Sequence, residues 1–390
     1  MLITEQSALE AFCDTLKSCE FITIDTEFLR EKTYYPKLCL IQVGDPKKNA
    51  KAIDVIDGDL DLTPLYNLLF DKSILKVMHS GRQDMEIFYN LTGKVVEPLF
   101  DTQIAAMVCG YGDSIGYDNL IRNVTGQGID KSTQFTNWAH RPLSEKQINY
   151  ALGDVTHLVD AYLHLRKELD KRGRTEWVFQ EEEILNDPAT YENDPFEAWK
   201  RVKIKSPKPK TLAVLRALAA WREQRAQDKN LPKNWVMRDD TLADMAGQMP
   251  RDVKGLKKIR NMPQEVAKGR HGQRLLEIIE ETLKGNPDDW PQPKKRRPPP
   301  PTVAATIDIL RMLLKVQCAD HGVATKLLIS TEELEELAVN DKADIPALKG
   351  WRYDVFGKDA LAVKNGSLAV GLKHGKIVKY KVNKNTDIEG

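Results

Sequence analysis

The stretch FITIDTEF, residues 21–28, decides how the chain folds and also poses its chemical question. Ile22 and Ile24 mark a buried strand, yet Asp25 and Glu27 sit inside the same run. Side chains alternate faces along a strand, so Thr23, Asp25 and Glu27 share one side and Ile22, Ile24 and Thr26 the other. One side is then available to a core and the other to chemistry.

Outward from this strand, LCLIQVGD, AKAIDVID and ILKVMHS also read as strands, while TPLYNLLFD and RQDMEIFYNL read as helices. Residues 1–202 are therefore expected to form an α/β domain. A basic, proline-punctuated joint at 203–210, KIKSPKPK, ends the pattern. Helical runs follow at 211–290, then the stiff linker PQPKKRRPPPP at 291–301, then a second helical unit at 302–383. The two helical units resemble each other, with Ala246 matching Ala338 and Leu256 matching Leu348, each 92 residues apart. Ser330 and Glu333 have capping-box spacing, and the alternating runs around KHG in the tail predict a β-hairpin.

At 390 residues, 41% hydrophobic and 29% charged, the chain has a folded, soluble composition spread over two or three domains. No apolar run is long enough for a bilayer, and MLITEQSALE lacks the basic start and apolar core of a secretory leader. A cytoplasmic protein with no membrane partner is expected, acting as a monomer. Cys13, Cys19, Cys39, Cys109 and Cys318 form no C-x-x-C pair, which argues against both a zinc ribbon and a disulfide framework. Net charge is +1, but residues 201–300 hold 24 Lys and Arg against 12 Asp and Glu, leaving the remainder at −11. Such segregation fits a polyanion held by the basic part and processed elsewhere, or simply a solvated surface with a basic linker.

Further acids join the opening pair. Asp84 follows ILKVMHS after a short Gly-containing turn, at the start of a helix and on the usual ligand edge of an α/β sheet. Taken alone, it would read as a helix-start acid. In SEKQINYALGDVTHLVDAYLHL, Ser144 and Gln147 signal a helix start. At about 100° per residue, Ile148, Leu152, Val155, Val159 and Tyr162 form a core stripe, with Tyr150, Asp154 and His157 opposite. Tyr150 and Asp154, one turn apart, can converge on a common point. If the four carboxylates meet, two of them about 5 Å apart repel by roughly 3 kcal/mol at an effective dielectric near 20, so cations are needed. All-oxygen ligation selects hard ions, two Mg²⁺ or Mn²⁺, and such a pair suits phosphodiester hydrolysis. Tyr150, neutral near pH 7, suits orienting the attacking water.

DTEF at 25–28, HSGRQD at 79–84 and YALGD at 150–154 resemble the three motifs of the DEDD exonuclease superfamily, tyrosine subgroup. DTEFLREKTYYPKLCLIQVG, DTQIAA and IDKSTQFTNWAHRPLSEKQINYALGDV are closer still to the ribonuclease D family. The paired helical units look like its tandem HRDC domains (the helicase-and-RNase-D C-terminal type). The resemblance implies an RNase H-like exonuclease domain, with a mixed sheet flanked by helices, ahead of two small all-α domains. It also implies metal-dependent 3′ to 5′ exoribonuclease activity on structured RNAs, notably tRNA precursors. By motif position, Asp25, Glu27, Asp84 and Asp154 would be metal ligands and Tyr150 the water-positioning group. Thr26, Phe28 and His79 would line the substrate site, and Phe28 offers a stacking face. Asp101, ahead of a helical run, is expected to cap rather than ligate, while Asp130 and Trp138 belong to the resemblance without an assigned role.

Two other functions share the pattern: a DNA exonuclease of the same superfamily, since the acids do not distinguish sugars, and a catalytically silent RNA-binding scaffold. Clustered negative charge beside a phosphate serves no binding module, which favours the enzyme. Removal of residues 206–390 is expected to weaken binding of structured RNA more than cleavage of short strands.

Overall fold

The computed structural model describes residues 1–130, 132–134, 136–293 and 299–382. The basic cluster at 294–297 and the boundary residue 383 lie outside the described residues. The N-terminal unit, called the catalytic side for the acids expected on it, runs β1 (Leu2–Ile3), α1 (Gln6–Leu16), β2 (Phe21–Leu29), β3 (Lys37–Gly44), β4 (Ala50–Asp54), α2 (Thr63–Leu69), β5 (Leu75–Met78), α3 (Arg82–Thr92) and β6 (Leu99–Asp101). It continues with α4 (Thr102–Cys109), α5 (Tyr117–Thr125), α6 (Glu145–Arg172) and α7 (Thr175–Asn186). Six strands form one mixed sheet in the order β1-β4-β3-β2-β5-β6. The central β2 runs antiparallel to β3 and parallel to β5.

Alternation along β2 sorts its faces as its sequence implies. Ile22 and Ile24 enter a core with Leu9, Leu65 and Met85, while the other face receives α6. Thr23 makes that second contact: its buried hydroxyl donates to the Val155 carbonyl at 2.9 Å. Close approach at this seam requires Gly44, because a Cβ there would lie 2.6 Å from the Thr23 hydroxyl oxygen. The strand pairing shifts register between Glu27 and Phe28, a bulge that re-aims the side chains after the second acid.

One expectation for α6 is overturned. Asp154 does not lie opposite the core stripe; it is 8% exposed, in a buried stripe with Ala151, Val155 and Leu158. The helix lies across the sheet next to β2, β3 and β4, so a wider arc of it is covered than a narrow apolar stripe suggests.

The first helical unit comprises α8 (Pro209–Lys229), α9 (Lys233–Val236), α10 (Asp239–Gln248), α11 (Val253–Leu256), α12 (Gln264–Lys268) and α13 (Arg270–Lys284). Val214, Leu218, Leu242, Leu256 and Leu275 centre its own core. The second comprises α14 (Ala304–His321), α15 (Thr325–Leu328), α16 (Thr331–Val339), α17 (Gly350–Arg352), a π-turn at Tyr353–Gly357 and α18 (Lys358–Lys364). The hairpin β7 (Leu368–Lys373) and β8 (Lys376–Lys381) follows, turning through His374 and Gly375 at φ 52° and 76°.

The 92-residue offset persists in three dimensions: α9 and α15 start 92 apart, as do α10 and α16. Asn230 and Gly322, also 92 apart, close the long helices in left-handed conformations. The Ser330–Glu333 capping box is formed.

The units differ in how they sit. Leu310, Leu313, Leu337 and Phe356 share one apolar cluster with Ala106, Leu165 and Val178 of the catalytic side. Trp351 stacks on Trp177 with centroids 4.3 Å apart, and the Ala324 amide donates to the Met107 carbonyl at 2.9 Å. Removing residues 206–390 would therefore uncover apolar surface on α4 and α7 as well as delete a binding surface. Among the described residues, no helix is long and apolar enough to cross a membrane.

Candidate functional site

Three elements bring the acids together. Asp25 and Glu27 project from β2, and Asp154 enters from α6 beside the Thr23–Val155 seam. One carboxylate oxygen from each lies within 4.8 Å of the others, an all-oxygen donor set suited to a hard divalent ion. Asp84 stands just outside this triplet in the first turn of α3, where its Oδ1 accepts the buried Thr26 hydroxyl. That bond gives Thr26 a holding role, and Thr26 also lines the cavity the acids share. Phe28 and His79 line the shared cavity of about 470 Å³, together with Gln83, Trp138 and Tyr150.

Bare carboxylates at 4.8 Å repel each other by about 3.5 kcal/mol per pair at an effective dielectric near 20, so protons are retained. Burial, then the charges of Asp84, Asp154 and Glu27, holds Asp25 well above the usual carboxylate range. Burial with Asp154 and Asp84 pushes Glu27 up to about 9. Asp84 rises to about 6, mainly by burial, with the Thr26 hydroxyl pulling the other way. Tyr150, hydrogen-bonded to Asp154, is raised by burial and then by Asp154, Glu27 and Asp25, so its phenol keeps its proton.

These shifts have a consequence for stability. A carboxyl whose folded pKa is raised, as for Glu27, stabilises the fold fully below about pH 4.5 and loses that contribution as pH rises towards 9. Chelated protein should melt a few degrees lower at pH 8 than at pH 6. Added Mn²⁺ should recover more at pH 8, because cations bind the ionised acids. Calorimetric scans at both pH values, with Glu27→Gln as the flattened control, check this; melting indifferent to pH and Mn²⁺ would contradict it.

The supports around the acids were only partly visible beforehand. Asp101 caps α4 as expected, through Gln103 N at 2.8 Å and Ile104 N at 3.3 Å. It also accepts Ser80 N at 3.0 Å and Gly81 N at 2.9 Å, fixing the turn that carries Asp84, with Ser80 at φ 56°. His79 Nδ1 meets the Thr102 hydroxyl at 2.9 Å, and burial lowers its pKa.

Tyr117 was missed. Its hydroxyl donates to the Asp154 carbonyl at 2.5 Å, and its ring lies 5.4 Å from that of His79. A tyrosine at a helix start 37 residues before its partner leaves no local signal. Trp138 acquires a place in the cavity wall, 6.2 Å from the Tyr150 ring. Arg141 holds it there, donating to the Trp138 carbonyl at 2.6 Å while pairing with buried Asp54 at 2.6 Å. Asp130 lies outside this cavity, pairing loosely with Lys146 at 3.5 Å.

An acid cluster on a mixed sheet, followed by helical modules, defines a class that comparison makes specific. Residues 1–170 match the family model described as 3′-5′ exonuclease, and residues 211–279 match the HRDC domain. Ribonuclease D of Granulibacter bethesdensis is 45% identical over 380 residues, covering 97% of this chain and 95% of the relative. Ribonuclease D of Nitrobacter hamburgensis is 42% identical, covering 97% and 99%. Among solved structures, Escherichia coli RNase D, described as an exoribonuclease involved in structured RNA processing, superposes with a TM-score of 0.80 at 29% identity, covering 94% of this chain and 98% of that one. The chain belongs to the ribonuclease D family of 3′ to 5′ exoribonucleases.

Proposed function

We propose that the chain removes 5′-nucleotides one at a time from RNA 3′ ends, with Asp25, Glu27, Asp84 and Asp154 as the ligands of two Mg²⁺ or Mn²⁺ ions. When bound, such a pair supplies charge neutralisation, water activation and stabilisation of the departing oxygen. The observation that carries the reading is the all-carboxylate triplet within 4.8 Å at the floor of an open cavity.

The other residues divide the remaining work. Tyr150, kept protonated and hydrogen-bonded to Asp154, orients the attacking water rather than removing its proton. Thr26 holds the Asp84 carboxylate, and Asp101 holds the turn that presents it. Phe28 and neutral His79 face the terminal nucleotide, with the Phe28 ring available for stacking. Residues 1–202 cut, the first HRDC unit at 211–290 holds the RNA behind the cut, and 302–383, a second unit of HRDC type, braces the catalytic side. The substrates are tRNA precursors and other structured RNAs, processed in the cytoplasm by a monomer.

The test is incubation of 3′-labelled and 5′-labelled RNA, and DNA of the same sequence, with Mg²⁺, Mn²⁺ or chelator. Expected are mononucleotides released from the 3′ label at once, a shortening ladder from the 5′ label, and no product with chelator. Faster loss of DNA would move the protein to the DNA-degrading alternative, and inertness with either ion would leave a silent scaffold.

A further inference from the structure

Arg30 lines two cavities: the acid-floored one and a second, of about 320 Å³, between the catalytic side and the first helical unit. The two are therefore neighbours across one side chain. Arg30, Arg201 and Lys233 line the second cavity with one acid, Glu223, which accepts the Tyr34 hydroxyl at 2.6 Å. Arg30 is held by a bidentate pair with Glu86 at 2.8 and 2.7 Å, which leaves Arg201 and Lys233 as the cations of the groove. On the opposite side, Tyr150 joins the acid site to a third hollow with the reverse balance, Asp130 and Glu145 against Lys146. A polyanion leaving the acid site is drawn past Arg30 towards Arg201 and Lys233.

Trp235 belongs to the same single turn, α9, as Lys233 and Asn234 of the second cavity's lining. It is 63% exposed, unusual for so large an apolar ring. The structural repeat shows what that corner does when protein covers it. In α15, 92 residues on, Thr325 and the Lys326 amide both donate to Asp113, and Leu327, opposite number of Trp235, is 8% exposed. The second unit spends the corner on docking to the catalytic side. The first docks through Asn230 instead, whose Oδ1 accepts the amides of Tyr34 and Tyr35 at 3.0 Å. Its α9 corner stays open, with Lys233 and Asn234 in the wall of the groove and Trp235 exposed next to them in the chain.

We propose that this groove is the path of the single-stranded segment upstream of the RNA 3′ end, with Trp235 as a platform on which one of its bases stacks and Arg201 and Lys233 along its phosphates. The proposal rests on the exonuclease reading above. An exposed aromatic ring beside aligned cations is the sequence-tolerant mode of single-strand recognition, and it suits an enzyme that must feed any 3′ extension to its acids.

The experiment uses the full chain carrying Asp25→Asn, so that strands stay intact, and oligoadenylates from two to about ten nucleotides with a 5′ fluorophore, read by anisotropy. Adding Trp235→Ala should weaken the longest strand by about 5- to 100-fold, the range that stacking one base supplies, and the dinucleotide by less than about twofold. Trp235→Phe should recover most of the loss. Lys233→Ala should reduce the salt dependence by about one ion. Equal affinities for parent and Trp235→Ala at every length would overturn the proposal, as would an equal loss at every length. So would a self-association abolished by Trp235→Ala, which would assign the ring to a second copy of the chain. Failure of the unaltered chain to degrade RNA is a separate result, and it would sink the exonuclease reading itself.

Discussion

Asp25→Asn is expected to cut turnover by about a thousandfold while raising the melting temperature of the chelated protein. The two effects share one cause. Asp25 is half-buried and repelled by Asp84, Asp154 and Glu27, so its carboxyl is a source of strain unless a cation or a proton neutralises it. A carboxamide keeps the shape and removes the charge, which relieves that repulsion. The same change takes an anionic oxygen from a triplet held within 4.8 Å, and with it one of the ligands proposed for the metal ions. A trade of stability against activity at one residue distinguishes a functional cluster from a structural one. Initial rates on labelled RNA and melting scans with chelator test both halves; full activity with unaltered circular dichroism would remove Asp25 from the chemistry.

What the sequence disclosed, and what it did not, follows from the range of each signal. The acids of β2 are legible because strand alternation is a two-residue property, and Ile22 and Ile24 assign the opposite face. Tyr150 and Asp154 are legible as a pair because they are one helical turn apart. Asp154 was nevertheless placed on the wrong surface, since its burial depends on Thr23 meeting Val155 across 132 residues of sequence. Tyr117 and Arg141 escaped for the same reason: their partners, Asp154 and Asp54, are remote in the chain. The repeat was readable from the 92-residue offset, but its asymmetry was not. Whether a corner is open, as at Trp235, or spent on Asp113, as at Thr325, is decided by the neighbouring surface rather than by the repeat.

Asp101→Ala is expected to destabilise the fold by roughly 4 kcal/mol or more and, in whatever remains folded, to lower turnover by about 10- to 100-fold. This acid touches neither the cavity nor the triplet; its effect runs through backbone. It is 2% exposed and accepts four amide protons, Ser80, Gln103 and Ile104 on Oδ1 and Gly81 on Oδ2. Each donor left without an acceptor costs about 1–3 kcal/mol when buried. Two of the four belong to the turn at Ser80 and Gly81, which precedes Asp84 and holds Ser80 in a left-handed conformation that a free turn would abandon. Releasing it moves Asp84 relative to Thr26, which lowers kcat, and His79 relative to Tyr117, which adds a smaller rise in KM. Asp101→Asn separates the two contributions. Its carbonyl oxygen can keep the three Oδ1 contacts, which spares the α4 cap and most of the stability, while its amide nitrogen faces the Gly81 N–H donor to donor. Denaturant melts should therefore rank the alanine variant well below the asparagine one, with turnover impaired in both. An asparagine variant with unchanged kcat would show that the Gly81 contact does not set the position of Asp84.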